Sequence, residues 1–523
     1  MQISTAGVWN ARYVALGVLF GVLVTANSAG YRYGISDQAF YIPAVDLARN
    51  PALFPRDRDV LEPQARFTVM DEGLAAVSEG TNLELEPLFF AGYLLTIVLF
   101  VAGVRLIGGR LYTSAVGVTA LTIALTLRHR IARTGVNTFE GYFHPRVLAF
   151  SVGLIAVGAL WRGHRRLAIG MSVVACLIHP TTGAWFVVWI AVAWLAIVRP
   201  FGRVGIASVV SAAAAVLLLG CGPLDSWLVG MDPSWRSVLS GRDYLFPTSD
   251  WGPTTWLMNL AGAVMVMVGL EWRTRLGLAG ATERGVVIGA LALLGLFLVS
   301  LPWVATYVAF AVQLQTSRML WTLDLLGTAY LVWILIEAPM PGPPTRRRAA
   351  IVLAVLIAAS AGRGYYVLRV EHANPLVAVW PDPSHWQRLG RWIRINTPVD
   401  AHLLADPVHV WPYGSSLRVV ADRDVLTEHV KDTAIAIYGR DVAMRVRERR
   451  RAIGDFHRLT EEDARLLARQ YDLDYLVADR TLRLPVVHRE GPLRLYSLDQ
   501  PAGTAEKAGR QSRRTVNRSG DGS

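Results

Sequence analysis

The chain has 523 residues, 53% of them hydrophobic and only 18% charged, with 17 Trp and a net charge of +12. Two cysteines, Cys176 and Cys221, exclude a disulfide framework or a Cys-rich metal site, and unpaired packing roles are expected for both. The positive charge is almost wholly arginine, lysine occurring only at 431 and 507. It alternates with apolar runs as membrane anchors do, so no nucleic-acid partner is expected.

Apolar runs near twenty residues recur along the chain, the length that crosses a bilayer as helix. Expected spans are roughly 12–29, 87–106, 111–127, 147–161, 167–179, 183–198, 204–220, 255–270, 285–304, 319–337 and 349–366. This describes an α-helical polytopic membrane protein of about eleven transmembrane helices. Residues 13–26 also have the make-up of a signal-peptide core, with Ala26-Asn-Ser-Ala29 as a cleavage-like site; an uncleaved first helix is the preferred reading. His179-Pro180 separates the fifth and sixth runs, which are either two spans or one broken helix.

With the N-terminus inside, the inner turns carry Arg105 and Arg110, then Arg162, Arg165 and Arg166, then Arg199 and Arg203. Arg273, Arg275 and Arg284 follow, and finally Arg346, Arg347 and Arg348, as the positive-inside rule requires. The first outer loop, 30–86, is instead acidic, with Asp37, Asp46, Asp57, Asp59, Glu62, Asp71 and Glu72. Arg128, Arg130, Arg133 and Arg146 fall outside, against the rule.

An odd number of spans places the chain after Tyr366 outside. The organisation expected is a transmembrane domain over 1–370, a small extracytoplasmic α/β domain over 380–500 and a polar, disordered tail over 501–523. Ser384–Ile395 is an amphipathic helix with Trp386, Leu389, Trp392 and Ile393 on one face. His402–Ala405, Arg418–Ala421, Asp474–Ala478 and Leu493–Leu498 read as strands. A helix covers roughly Thr433–Arg451, and Thr460-Glu-Glu-Asp463 resembles a capping box opening another.

The signatures of soluble enzymes are missing: no phosphate-binding G-x-x-x-x-G-K-S/T, no G-x-G-x-x-G, no H-E-x-x-H and no G-x-S-x-G. What stands out is where polar residues collect. Asp37, Glu140, His144, Arg146, His179 and Arg318 are far apart in sequence, yet the topology sends each to an outer helix end. Ionisable groups at a membrane boundary are costly unless paired or hydrated, so such a set is a candidate site. Asp37 begins an amphipathic stretch, with Phe40, Ala44 and Leu47 at helical spacing, that would lie on the bilayer surface. Its carboxylate is either a general base or divalent-ion ligand, or else, with Ser36, a helix cap. Arg146 and Arg318 suit a phosphate or pyrophosphate, against the plainer readings of loop-acid pairing and an interfacial snorkelling arginine. His179 stands at a break that is either a cavity wall or a simple cap. The loop Tyr244–Trp256 reads as interfacial aromatics, Arg445–Arg451 as a solvated helix face, and His402, Asp406 and His409 as scattered residues rather than a metal site.

Together these features resemble the GT-C superfamily of membrane glycosyltransferases. Ser36-Asp-Gln-Ala-Phe-Tyr41 falls where that family keeps its catalytic acid, and His144-Pro145, His179-Pro180 and Arg318 fall where relatives gather outer-face polar residues. The tail, Trp386…Trp392-Ile-Arg-Ile-Asn-Thr-Pro398 followed by Asp474-Tyr-Leu-Val-Ala478, resembles the extracytoplasmic domain of many bacterial members. The resemblance implies transfer of a sugar from a polyprenyl-phosphate-linked donor to a glycan, lipid or protein acceptor at the outer face of a bacterial cytoplasmic membrane. Asp37 would be the catalytic base, with Glu140, His144, Arg146, His179 and Arg318 binding substrate amid membrane lipids. Many members carry two adjacent acids in the first loop and a second acidic pair in the next; here Gln38 follows Asp37 and only Glu140 could serve in the second, so metal dependence stays open, a divalent metal being the one cofactor considered. A catalytically silent scaffold or partner subunit, and a transporter of lipid-linked sugars or small solutes, remain open.

Overall fold

A computed structural model describes residues 11–65, 68–127, 129–198, 228–341, 344–380 and 383–498. The span expected at 204–220, Cys221, Arg128, Arg199, Arg203 and the tail beyond 498 lie outside them. Six helices are long and apolar enough to cross a membrane: Leu85–Leu111, Pro180–Val198, Pro253–Arg275, Ala281–Ala305, Ala309–Ile336 and Thr345–Glu371. Three shorter apolar helices, Val14–Asn27, Ala115–Leu127 and Pro145–Trp161, stand among them. The expected count of about eleven full spans is therefore not met among the described residues. Large apolar side chains such as Leu257, Met258, Val299 and Val355 face outward, as they must where the surrounding solvent is lipid.

The helices approach closely through small residues, the usual way apolar spans gain contact when water cannot drive them together. A Cβ on Gly262 would lie 2.8 Å from Leu323 O, and one on Gly327 would lie 2.7 Å from Gly262 Cα. Arg165–Ile178 and Pro180–Val198 are two helices joined at His179, whose extended backbone breaks the run. They fold back on each other so tightly that a Cβ on Gly183 would meet Cys176 N at 2.2 Å. Pro145 and Pro180 each open a helix, where a missing N–H costs nothing.

The first loop forms helices Gln38–Arg49, Arg58–Ala65 and Met70–Thr81. The expectation of a helix lying on the bilayer surface fails here. Residues 38–46 are buried, because the loop's own helix Met70–Thr81 and, from the C-terminal segment, Leu417–Ala421 pack against them. That segment joins the membrane part through a parallel pair, β1 (Tyr31–Arg32) with β4 (Val377–Ala378). A short hairpin, β2 (Arg130–Ile131) and β3 (Val136–Asn137), lies in between.

Residues 385–498 build a five-stranded mixed sheet from β5 (His402–Leu404), β6 (Asp424–Val425), β7 (Tyr475–Ala478), β8 (Val486–Glu490) and β9 (Leu493–Ser497), in the order β6-β5-β7-β9-β8. Ser384 caps the helix His385–Asn396, which buries Trp386, Leu389 and Ile393. Thr460 and Asp463 form a reciprocal capping box at the helix Glu461–Tyr471. Arg418–Ala421, expected as a strand, lies in one turn of helix, Leu417–Ala421, and the single helix expected over Thr433–Arg451 is two, His429–Ile435 and Arg440–Ile453. The break falls at Gly439, whose extended backbone precedes the second helix. His402 and His409 bond to Tyr471 O, Asp406 O and Glu428 rather than to one shared centre.

The C-terminal segment is fastened to the first loop by buried charge. Asp57 accepts from Arg418 Nε (2.7 Å), Arg445 Nη2 (2.6 Å) and Val425 N (3.0 Å). Arg418 also donates to Asp432 Oδ1 at 2.6 Å, and the backbone N–H of Asp57 donates to Asp424 at 3.0 Å. Arg445 is thus turned inward, not spread on a solvated face. Burial alone would raise the carboxyls of Asp57 and Glu428. Arg418, aided by Arg445 at Asp57 and His409 at Glu428, outweighs it, holding Asp57 well below the usual range and Glu428 at about 2. Carboxyls depressed in the folded state lend stability that is complete above their ordinary values and is lost as pH falls through the folded ones. Docking is therefore expected to hold from neutrality to about pH 4.5 and to weaken towards pH 2. Asp57→Ala, which takes one buried carboxylate from Arg418 and Arg445, should cost about 3–5 kcal/mol at neutral pH. Melting in detergent measures both effects; an unshifted melt would refute the assignment.

Candidate active site

Where the first loop, several helix ends and the C-terminal segment meet, a cavity of about 270 Å³ opens. Its wall includes Asp37, His144, Arg146, His179, Arg318 and Lys431, with Tyr41, Tyr244 and Tyr438 between them. Five of the six residues singled out in the sequence thus share one space. The sixth, Glu140, does not line it: it stands behind Arg146 (3.8 Å) and accepts from Asn137 Nδ2 (3.0 Å).

A tight turn presents Asp37. Gly34 and Ser36 both take the left-handed conformation, and Gln38 ties the turn down, its Oε1 accepting from Gly34 N (2.7 Å) and its Nε2 donating to Phe143 O (3.2 Å). Asp37 makes no side-chain cap bond to the helix it precedes, so its carboxylate is free to face the cavity. That side chain is 40% accessible, open on the cavity and enclosed elsewhere. Lys431 Nζ donates to Oδ1 at 2.6 Å, while His144 Nε2 (3.1 Å) and Tyr142 OH (3.3 Å) donate to Oδ2. Burial pushes this carboxyl upward, but Lys431, then His144 and Arg146, prevail and hold it well below the usual carboxylate range.

The two histidines are fixed as donors. His144 Nδ1 accepts the backbone N–H of Arg146 (3.1 Å), which leaves its own hydrogen on Nε2. Burial, then the Arg146 guanidinium, pushes this imidazole down to about 4, so it is neutral near pH 7. His179 Nδ1 likewise accepts from Thr182 N (3.4 Å). Arg318 Nε donates to Thr134 O (3.3 Å), and its guanidinium lies over the Tyr244 ring, 4.8 Å from the centroid. Among the described residues no carboxylate forms an ion pair with Arg318. Arg146 Nε is buried on this wall with no hydrogen-bond partner among the described residues. Arg133, by contrast, pairs with the loop acid Asp243 at 2.7 Å.

The arrangement is an ionised carboxylate inside a ring of N–H donors and fixed positive charge, which suits a phosphate beside a hydroxyl. Among the described residues, no group of three or more His, Cys, Asp or Glu side chains is placed to hold a metal ion. Sequence reasoning missed Lys431 and Tyr438 as wall residues and read Tyr244 as an interfacial aromatic; Tyr142, which donates to Asp37, does not line the cavity. The signal available for Lys431 was its rarity, one of two lysines in the chain.

No family model and no curated protein matches the chain. Fifteen chains of solved structures align with it. One is the oligosaccharyltransferase AglB of Archaeoglobus fulgidus in complex with an inhibitory peptide and a dolichol-phosphate: TM-score 0.42, 12% identity, covering 89% of this chain and 69% of that one. Another is the Archaeoglobus fulgidus oligosaccharyltransferase complex with Zn and sulfate: TM-score 0.45, 13% identity, covering 89% and 67%. At this distance neither substrate nor residue role carries over.

Inorganic pyrophosphate is a direct probe of the cavity. Arg318→Ala should weaken its binding at least about tenfold, roughly 1.4 kcal/mol, while Asp37→Asn, by removing the competing negative charge, should strengthen it. Calorimetry in detergent decides; equal affinity in all three proteins would deny that the cavity is an anion site.

Proposed function

We propose that the protein is a membrane glycosyltransferase that moves a sugar from a polyprenyl-phosphate-linked donor to an acceptor at the outer membrane face. One observation carries this reading: a single carboxylate faces fixed positive charge across one small cavity at the helix ends. The alternation of apolar helices with Arg105, Arg110, Arg162, Arg273 and Arg275 at their opposite ends supports placing that cavity outside. In the proposed reaction Asp37 takes the proton of the acceptor hydroxyl as its oxygen attacks the sugar carbon. The bond from that carbon to the donor phosphate breaks, and the departing phosphate keeps the electron pair. Arg146 and Arg318 stabilise that charge more as it grows, which lowers the barrier rather than merely tightening binding. His144 orients Asp37, and His179 offers an N–H to the phosphate. The C-terminal segment closes the cavity and contributes to acceptor binding.

A second reading draws on one specific contact. The ion pair to Lys431 (2.6 Å) neutralises Asp37, as it would in a catalytically silent scaffold or partner subunit. Transfer assays in membranes separate the two. Asp37→Asn should lower glycan transfer about 10²–10⁴-fold, the usual contribution of a general base, with the protein still inserted. Full activity in that variant would sink the transferase assignment.

A further inference from the structure

We infer that Lys431 is the built-in cation of this site, a tethered ammonium standing where a divalent metal would bridge Asp37 and a donor phosphate. The inference rests on the transferase reading of the cavity and names its source of positive charge. Four observations support it.

The first is contact: Nζ lies 2.6 Å from Asp37 Oδ1, with the lysine side chain only 9% accessible. The second is the donor set, which does not fit a metal. A hard divalent ion needs several oxygen or imidazole lone pairs at once. His144 and His179 have spent their Nδ1 lone pairs on backbone N–H groups. Gln38 has committed its carbonyl to Gly34 N, and Glu140 is turned to Arg146 and Asn137. Asp37 is left as the one carboxylate on a wall that also carries Arg146, Arg242, Arg318 and Lys431, which repel a dication.

The third observation is the choice of residue. In a chain that writes nearly every cation as arginine, a lysine occupies this place. Its ammonium is a compact point charge with three donors, nearer to a metal ion in shape than a planar guanidinium. The fourth is delivery. Asp432, the next residue, accepts from Glu428 N (2.9 Å) and Thr427 Oγ1 (3.1 Å) and pairs with Arg418, which holds Asp57. One brace therefore fixes both the loop that bears Asp37 and the helix that bears Lys431.

The test is Mn²⁺ uptake by the purified full chain in detergent, read from the paramagnetic resonance of free Mn²⁺. Wild type should leave Mn²⁺ free up to about 1 mM. Lys431→Glu, which puts a second carboxylate beside Asp37, should gain one site at least tenfold tighter, and adding Asp37→Asn should remove it. Wild-type uptake that Asp37→Asn abolishes would overturn the inference, and so would a folded Lys431→Glu protein that takes up none. Lys431→Gln asks the same without adding charge. Its melting temperature should fall, unrelieved by Mn²⁺, and should largely recover when Asp37→Asn is added; a loss that is not recovered counts against the pairing. None of these readings needs a sugar donor, so they stand or fall separately from the transfer assay.

Discussion

The guanidinium of Arg418 sits between Asp57 and Asp432 with all three side chains almost fully buried. Removing such groups from water is expensive, and the mutual attraction roughly offsets that cost without guaranteeing a surplus. What the network supplies is register. A hydrophobic contact between the loop and the C-terminal segment would tolerate sliding, whereas two carboxylates converging on one planar cation admit a single alignment. The helix His429–Ile435 begins immediately beside that cation, so the position of every wall residue it contributes follows from the alignment.

Electrostatics in the cavity follow from the same economy of acceptors. Backbone N–H groups at the starts of two helices consume one nitrogen of each histidine and so dictate which hydrogen faces inward. The wall becomes mainly a donor surface, with Asp37 as its one carboxylate. An anionic ligand in such a place meets dipoles already oriented, and little reorganisation is left to do when charge moves. The buried stack of Phe150 on Trp321, 3.6 Å between centroids, lies behind this wall and stiffens the helices that bear Arg146 and Arg318.

Much of the architecture was legible from local rules. The apolar runs, the prolines that open helices and the Thr460–Asp463 capping box all declare themselves within a few residues, because their physics is local. The cavity was legible in part for a different reason. Asp37, His144, Arg146, His179 and Arg318 lie at helix ends, and a topology with basic inner turns sends such ends to one side. Two kinds of information were hidden. Lys431 is 394 residues from Asp37, and no periodicity links them. Arg418 sits in a short run rich in valine that reads as a strand, yet the run is a helical turn with Arg418 buried among carboxylates. Glu140 was misjudged because a carboxylate near an anion site more readily balances an arginine from behind than faces the ligand. The surface placement of residues 38–49 failed because amphipathicity shows that a face will be covered, not what will cover it.

The parallel pairing of Tyr31–Arg32 with Val377–Ala378 has a consequence for biogenesis. The ribosome delivers the first strand, and Asp37 soon after it, while the second strand and Lys431 are still unmade. During that interval the carboxylate lacks its lysine partner and its loop lacks the C-terminal cover. A nascent chain therefore carries the pocket without its last wall, which Lys431, Ala434, Ile435 and Tyr438 complete only when the C-terminal segment has been made.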